Sequence, residues 1–198
     1  MYEKTRPLFV QELEINEKLQ FRFGLAGTWI RLGELYRHEG DYIQAEQCFE
    51  KSMSVSRDLG LKEHISSDLY LLSLLALHQN DYLSAVERFR EYFNYHRVPE
   101  KELSLCRFLT GMSAVAGGTN QPKHCAKLFG AAQWIIQSTS DLRMDQFDRA
   151  EFDRHIQIAR DQLGNLTFEA LSKEGSTMTM EQAFELTTKK GEFSALVA

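Results

Sequence analysis

Gly40-Asp41-Tyr42-Ile43-Gln44-Ala45-Glu46-Gln47-Cys48-Phe49 and Asn80-Asp81-Tyr82-Leu83-Ser84-Ala85-Val86-Glu87-Arg88-Phe89 are the stretches that decide the fold. The second repeats the turn residues, the tyrosine, the alanine and the phenylalanine of the first, 40 residues on. A weaker third copy carries Pro122, Ala126 and Gly130, with Ala126 41 residues after Ala85. Near-constant spacing of this kind indicates stacked units, each burying its apolar face on the next.

Outward from these stretches the apolar spacing is helical. Leu25, Trp29, Leu32 and Tyr36 step by four, three and four, so they share one face that must be buried. Gly40 is suited to the left-handed conformation that ends a helix and Asp41 to capping the next; Asn80 and Asp81 repeat the arrangement. Each unit is therefore a helix, a tight turn and a second helix. The second helices carry Ala45, Phe49 and Met53, then Ala85, Phe89 and Phe93, where a small residue admits a close neighbour and an aromatic ring fills the gap. Pro7 to Lys18 match a second helix whose own first helix is missing, since Phe9 precedes Phe49 by 40 residues. Opening on half a repeat suggests a piece of a longer protein or a terminus covered by a partner.

Beyond Ile136, Gln137 to Ser140 suggest a loop. Phe152, Ile156, Ala159 and Leu163 then form a helical face closed by Gly164. Asn165 begins a short helix ending near Gly175, and Thr179 with Gln182 forms a capping box for a last helix through Ala183 and Leu186. The expectation is an all-α chain of about ten helices, with an ordinary antiparallel bundle as the alternative architecture.

The formal net charge of −5 works against a broad basic surface for nucleic acid, so no direct nucleic-acid partner is expected. Cys48, Cys106 and Cys125 are odd in number and lack C-x-x-C spacing, which favours reduced thiols and a cytoplasmic location. The first residues lack the apolar stretch of a signal peptide. The run Leu69 to Leu77, bounded by Asp68 and His78, is far short of the ~20 residues needed to span a bilayer and predicts a buried helix.

Trp29, Leu32-Gly33, Tyr36, Ala45 and Phe49 resemble the tetratricopeptide repeat (TPR), whose first helix carries Trp, Leu-Gly and Tyr and whose second carries Ala and Phe. The second copy is looser, with Leu69, Leu72, Ser73 and Ala76, and the spacing exceeds the ~34 residues usual in the family. Longer helices or longer loops must absorb the excess. The resemblance implies an antiparallel helix-hairpin solenoid: a half repeat over 1–22, repeats over about 23–60, 61–98 and 99–138, a helical extension over 139–190 and a tail over 191–198. A second resemblance rests on Ala126 to Ala132, on Phe147 to Gly164 and on Met178 to Ala183. These are similar to the C-terminal repeat region of bacterial signal-transducing ATPases and LuxR-type transcription regulators. Neither an NTPase module nor a helix-turn-helix is present, so only the repeat, sensor-like portion is implied.

The search for chemistry finds no assembled site. Gly117 to Lys123 lacks the second glycine and the hydroxyl residue of a phosphate-binding loop, and suggests a loop joining two helices. Gly111 to Val115 lacks the last glycine of a nucleophile elbow. A zinc site from His124, Cys125 and Cys106 or His96 matches no ligand spacing. Asp145, Asp148, Glu151 and Asp153 alternate with Arg149 and Arg154 in the manner of an exposed helix. No cofactor, metal or enzymatic activity is expected. What the repeat resemblance implies instead is a concave groove lined by Ile30, Glu34, Arg37, His38, Tyr70, Leu74, His78 and Phe108, with Tyr70 and Phe108 as anchors for a helix or extended peptide. The expected function is protein–protein interaction. A small-molecule effector region and self-assembly through the N-terminal half repeat, giving a homo-oligomer, stand as alternatives.

Overall fold

The computed structural model describes residues 5–95, 102–139 and 144–188. Among these there are ten α-helices: α1 (Arg6–Lys18), α2 (Arg22–Glu39), α3 (Tyr42–Leu59), α4 (Lys62–His78), α5 (Tyr82–Tyr95), α6 (Glu102–Gly118), α7 (Pro122–Ser138), α8 (Gln146–Leu163), α9 (Asn165–Gly175) and α10 (Met180–Thr188). They form two compact units, Met1–Leu75 and Ala76–Ala198. The tail expected over 191–198 and His96 lie outside the described residues.

One recurring turn separates the helices from α1 to α5, and α6 from α7. Gln20, Gly40, Gly60, Asn80 and Asn120 have left-handed φ angles of 53°, 82°, 68°, 59° and 59°. The residue after each of them, Phe21, Asp41, Leu61, Asp81 or Gln121, donates its N–H to the carbonyl five residues back, at 2.9 Å every time. This closure satisfies a carbonyl that the helix end would otherwise leave without a partner. Each 40-residue unit is thus two 20-residue halves, and the excess over an ordinary repeat resides in helices of 17 and 18 residues rather than in loops. Asp41 and Asp81 then cap α3 and α5 by accepting from the N–H groups of Gln44 (3.2 Å) and Ser84 (3.1 Å).

In the first unit α2 packs between α1 and α3. Leu13, Leu32, Leu35 and Cys48 form its buried cluster, flanked by Phe9, Leu25, Trp29 and Tyr36. Ala45 and Phe49 are fully buried, and a β-carbon on Gly33 would strike the Phe49 ring. That seat explains why Leu32-Gly33 and Phe49 occur together.

In the second unit α6 packs against α5, α7 and α8, while α9 lies along α7. A β-carbon on Gly130 would collide with the backbone of Ser172, and one on Gly175 with the backbone of Lys127. The two helices therefore touch main chain to main chain at both points. Thr179 and Gln182 form the expected reciprocal cap of α10, at 2.9 and 3.2 Å.

Three local expectations are corrected. Gly117 and Gly118 belong to α6, and the connection to α7 is only Thr119–Gln121; Gly117 is small because the His155 carbonyl of α8 lies against it. Gln137 and Ser138 continue α7 instead of forming a loop. On α8, Asp145 is an exposed cap, accepting from Phe147 N–H at 2.8 Å, but Asp148 is buried and Glu151 largely so.

Leu69–Leu77 is buried throughout, as the unbroken apolar run predicts. Its polar boundary is buried too: Asp68 has no exposed surface, accepts one hydrogen bond from Ser52 Oγ of α3 (2.8 Å), and its Oδ1 has no partner among the described residues. Burial pushes its carboxyl up to about 8 from an ordinary 3.8. Among the described residues no helix is long and apolar enough to cross a membrane.

Two predictions follow from this packing. Gly40→Ala places an L side chain at φ 82° with open space around it and should cost about 1 kcal/mol. Gly130→Ala forces two backbones apart and should cost up to ~3 kcal/mol in urea unfolding; equal costs would mean that α7 and α9 do not touch there. Asp68 holds a proton in the native chain that the unfolded chain releases, so its contribution to stability falls as pH rises from about 3.8 to about 8. Buried His155 acts oppositely, its lowered pKa removing stability as pH falls below 6.5, which leaves pH 6.5–8 as the clean window. Across it the wild type should lose up to ~1.4 kcal/mol per pH unit relative to Asp68→Asn; parallel stability curves for the two proteins would place the Asp68 proton elsewhere.

Candidate functional site

The eight residues expected to line a groove do not share one environment. Ile30, Glu34, Arg37 and His38 are half-buried, and their spacing of four, seven and eight residues from Ile30 sets them on one face of α2. The buried side of the same helix is Ala26, Thr28, Leu32, Gly33 and Leu35. A helix held on both flanks by α1 and α3 presents such a face rigidly. One apolar side chain, an acid, an arginine and a histidine give it the mixed character that suits a peptide segment.

Tyr70, Leu74 and Phe108 are placed otherwise. Tyr70 is 3% exposed, Leu74 2% and Phe108 0%. The Phe108 ring stacks on Phe93 at 4.5 Å and lies tilted to Phe184 at 6.2 Å. These side chains are packing residues, and the two expected anchors offer no surface to a partner. The reason is compositional: α4 over Leu69–Leu77 and α6 over Phe108–Gly117 carry no charged residue and are buried on every side, so spacing alone cannot separate a groove position from a core one.

His78, in the second unit, is partly exposed and belongs to a polar cluster that sequence reasoning did not single out. Its Nδ1 lies 3.1 Å from Glu151 Oε2, while Glu151 Oε1 accepts from Arg154 at 2.7 Å. Arg154 also donates to the Leu77 carbonyl at 3.1 Å. His155 beside them is fully buried; its Nδ1 is 3.1 Å from the Glu151 carbonyl and its Nε2 has no partner among the described residues. Burial holds the His155 pKa below its ordinary value, so the ring is neutral near pH 7. The cluster fixes α8 to the end of α4 and contains no nucleophile. The only signal for it was the Glu151, Arg154 and His155 spacing on one helix.

The three cysteines are buried, and burial pushes each thiol up to about 11, leaving none as thiolate near neutral pH. Among the described residues no group of three or more His, Cys, Asp and Glu is arranged to hold a metal ion.

One cleft of about 320 Å³ opens between α6, α7 and α8 of the second unit. Its walls are Thr110 from α6, Phe129, Gln133 and Ile136 from α7, and Arg149, Phe152, Asp153 and Ile156 from α8, with Met144 at the approach to α8. No spacing rule brings these positions together in the sequence, because they meet only when three helices pack.

With the helix pairs and these surfaces in place, comparison with known proteins can be set beside them. No curated protein and no solved structure matches the chain. Residues 24–97, from the start of α2 to the end of α5, match the tetratricopeptide repeat family model, and the chain has an all-α, TPR-like helical-repeat fold.

Proposed function

We propose that this chain is a non-catalytic protein-interaction module that binds a peptide or helix of a partner protein on the half-exposed face of α2. The observation that carries this reading is the match of residues 24–97 to tetratricopeptide repeats, which generally mediate protein–protein interactions. Ile30 supplies the apolar contact, while Glu34, Arg37 and His38 set register and polarity. The contact is limited to these residues, since Tyr70, Leu74 and Phe108 are already committed to packing. The high thiol pKa values keep Cys48, Cys106 and Cys125 protonated near neutral pH, in keeping with a binding role. Unpaired, buried cysteines also fit a reducing, cytoplasmic setting.

A second reading is a small-molecule effector region, favoured by the cleft between α6, α7 and α8. In this reading an effector that binds one conformation better than another shifts the balance between them.

Affinity capture from the native lysate, comparing the wild type with Ile30→Asp and with Glu34→Arg, tests the first reading. A partner held by the wild type should be lost, or weakened by about tenfold or more, in both variants, whose far-UV circular dichroism should be unchanged. The same partner retained at full strength by both folded variants would remove the α2 face from consideration. For the second reading, a fractionated small-molecule extract should raise the unfolding temperature in a saturable way, and a flat response across all fractions would contradict it.

A further inference from the structure

The cleft of the second unit carries enough chemistry to narrow its ligand, and the narrowing rests on the effector reading above. Its volume of about 320 Å³ lies at the lower end of small-molecule sites, about 300–1,000 Å³, which favours one small metabolite over a polymer. Most of the wall is apolar. Phe152 is 1% exposed and braced by Phe89 at 6.5 Å, so this part of the wall cannot swing away. Phe129 is braced in the same way by Phe168 at 5.8 Å. An apolar group of the ligand has fixed surfaces to lie against.

The polar lining is sparse and of defined character. Thr110 donates its hydroxyl proton to the Cys106 carbonyl at 2.8 Å, which leaves its oxygen able only to accept. Gln133 is half-buried and makes no side-chain hydrogen bond among the described residues, so its amide can both donate and accept. Arg149 and Asp153 stand one turn apart on α8, with Nε 3.7 Å from Oδ2. Among the described residues they are the only ionised side chains of the lining, and their charges cancel. A simple anion entering beside Arg149 meets Asp153, and a simple cation meets the reverse. A molecule carrying both charges on neighbouring atoms faces neither penalty and can exchange the long internal pair for two complementary contacts.

We propose that this cleft binds a small zwitterion with an apolar side group, an α-amino acid with an aromatic or branched side chain. The carboxylate lies on Arg149, the ammonium on Asp153, and the side group on the part-exposed Phe129 and Ile136, over a floor made by the buried Phe152 and Ile156. Gln133 holds the polar head from the opposite wall.

Calorimetric titration of the full chain with L-phenylalanine and L-leucine tests this, with phenylacetate and phenethylamine as probes carrying one charge each. Saturable binding of at least one amino acid is expected, about tenfold or more tighter than either single-charge probe. Arg149→Met should weaken it by about tenfold, and Gln133→Trp, which fills the cleft, should abolish it. Both positions are partly exposed, so the fold is retained and circular dichroism verifies that. Full affinity in the folded Gln133→Trp variant would overturn the site. Equal or tighter binding of phenylacetate or phenethylamine would overturn the zwitterion while leaving the effector reading intact, and no saturable binding of either amino acid would overturn the inference whatever the extract screen shows.

Discussion

A backbone hydrogen bond that closes across a left-handed residue is the constraint on which the rest of this structure depends. It recurs at Gln20, Gly40, Gly60, Asn80 and Asn120, with the same 2.9 Å contact reaching five residues back. Each closure ends one helix and reverses the chain within two or three residues, which obliges successive helices to lie antiparallel. From Gln20 to Asn80 the interval is 20 residues each time, so α2, α3 and α4 are of nearly equal length, 18, 18 and 17 residues, which allows neighbours to cover one another along a whole face. The left-handed conformation costs an ordinary residue about 1–2 kcal/mol. Glycine or asparagine at four of the five positions lowers that cost, and the capping aspartates Asp41 and Asp81 compensate further at the start of the following helix.

Rigidity of this kind matters for recognition. Side chains on a helix that is packed on both flanks lose little further freedom when a partner arrives, so more of each contact appears as affinity. The α2 face and the α6–α8 cleft are both presented by such helices. They differ in what they can hold. The α2 face is half-buried and mixed in polarity, whereas the cleft is concave, aromatic-walled and, among the described residues, neutral in net charge.

Much of the architecture was legible in the sequence because it is written in local spacing. The 40-residue period, the Gly40 and Asn80 stops, the Thr179–Gln182 box and the buried Leu69–Leu77 run each rest on residues close together in the chain. The 20-residue half period was not legible, since Gln20 is an unusual left-handed residue and carries no turn signal. Burial divides the expected groove residues for a related reason. On α2 an apolar stripe and a polar stripe separate cleanly, and Ile30, Glu34, Arg37 and His38 stand half-exposed. On α4 and α6 no polar stripe exists, so Tyr70, Leu74 and Phe108 could be placed in a groove on paper and are buried in fact. Asp68, Glu151 and the cleft lining depend on partners 16 to 73 residues away, or on three helices meeting, and spacing within one helix says nothing about either.

The most direct measurement is solution NMR of the full chain, combining backbone carbon shifts with the coupling between amide and α protons. Left-handed φ values at Gln20, Asn80 and Asn120, with uninterrupted helical shifts across each of α2, α3, α4, α6 and α7, are the predicted result. Helical shifts running through those positions, or breaks falling inside any of those helices, would contradict the 20-residue hairpin on which both the α2 face and the cleft are built.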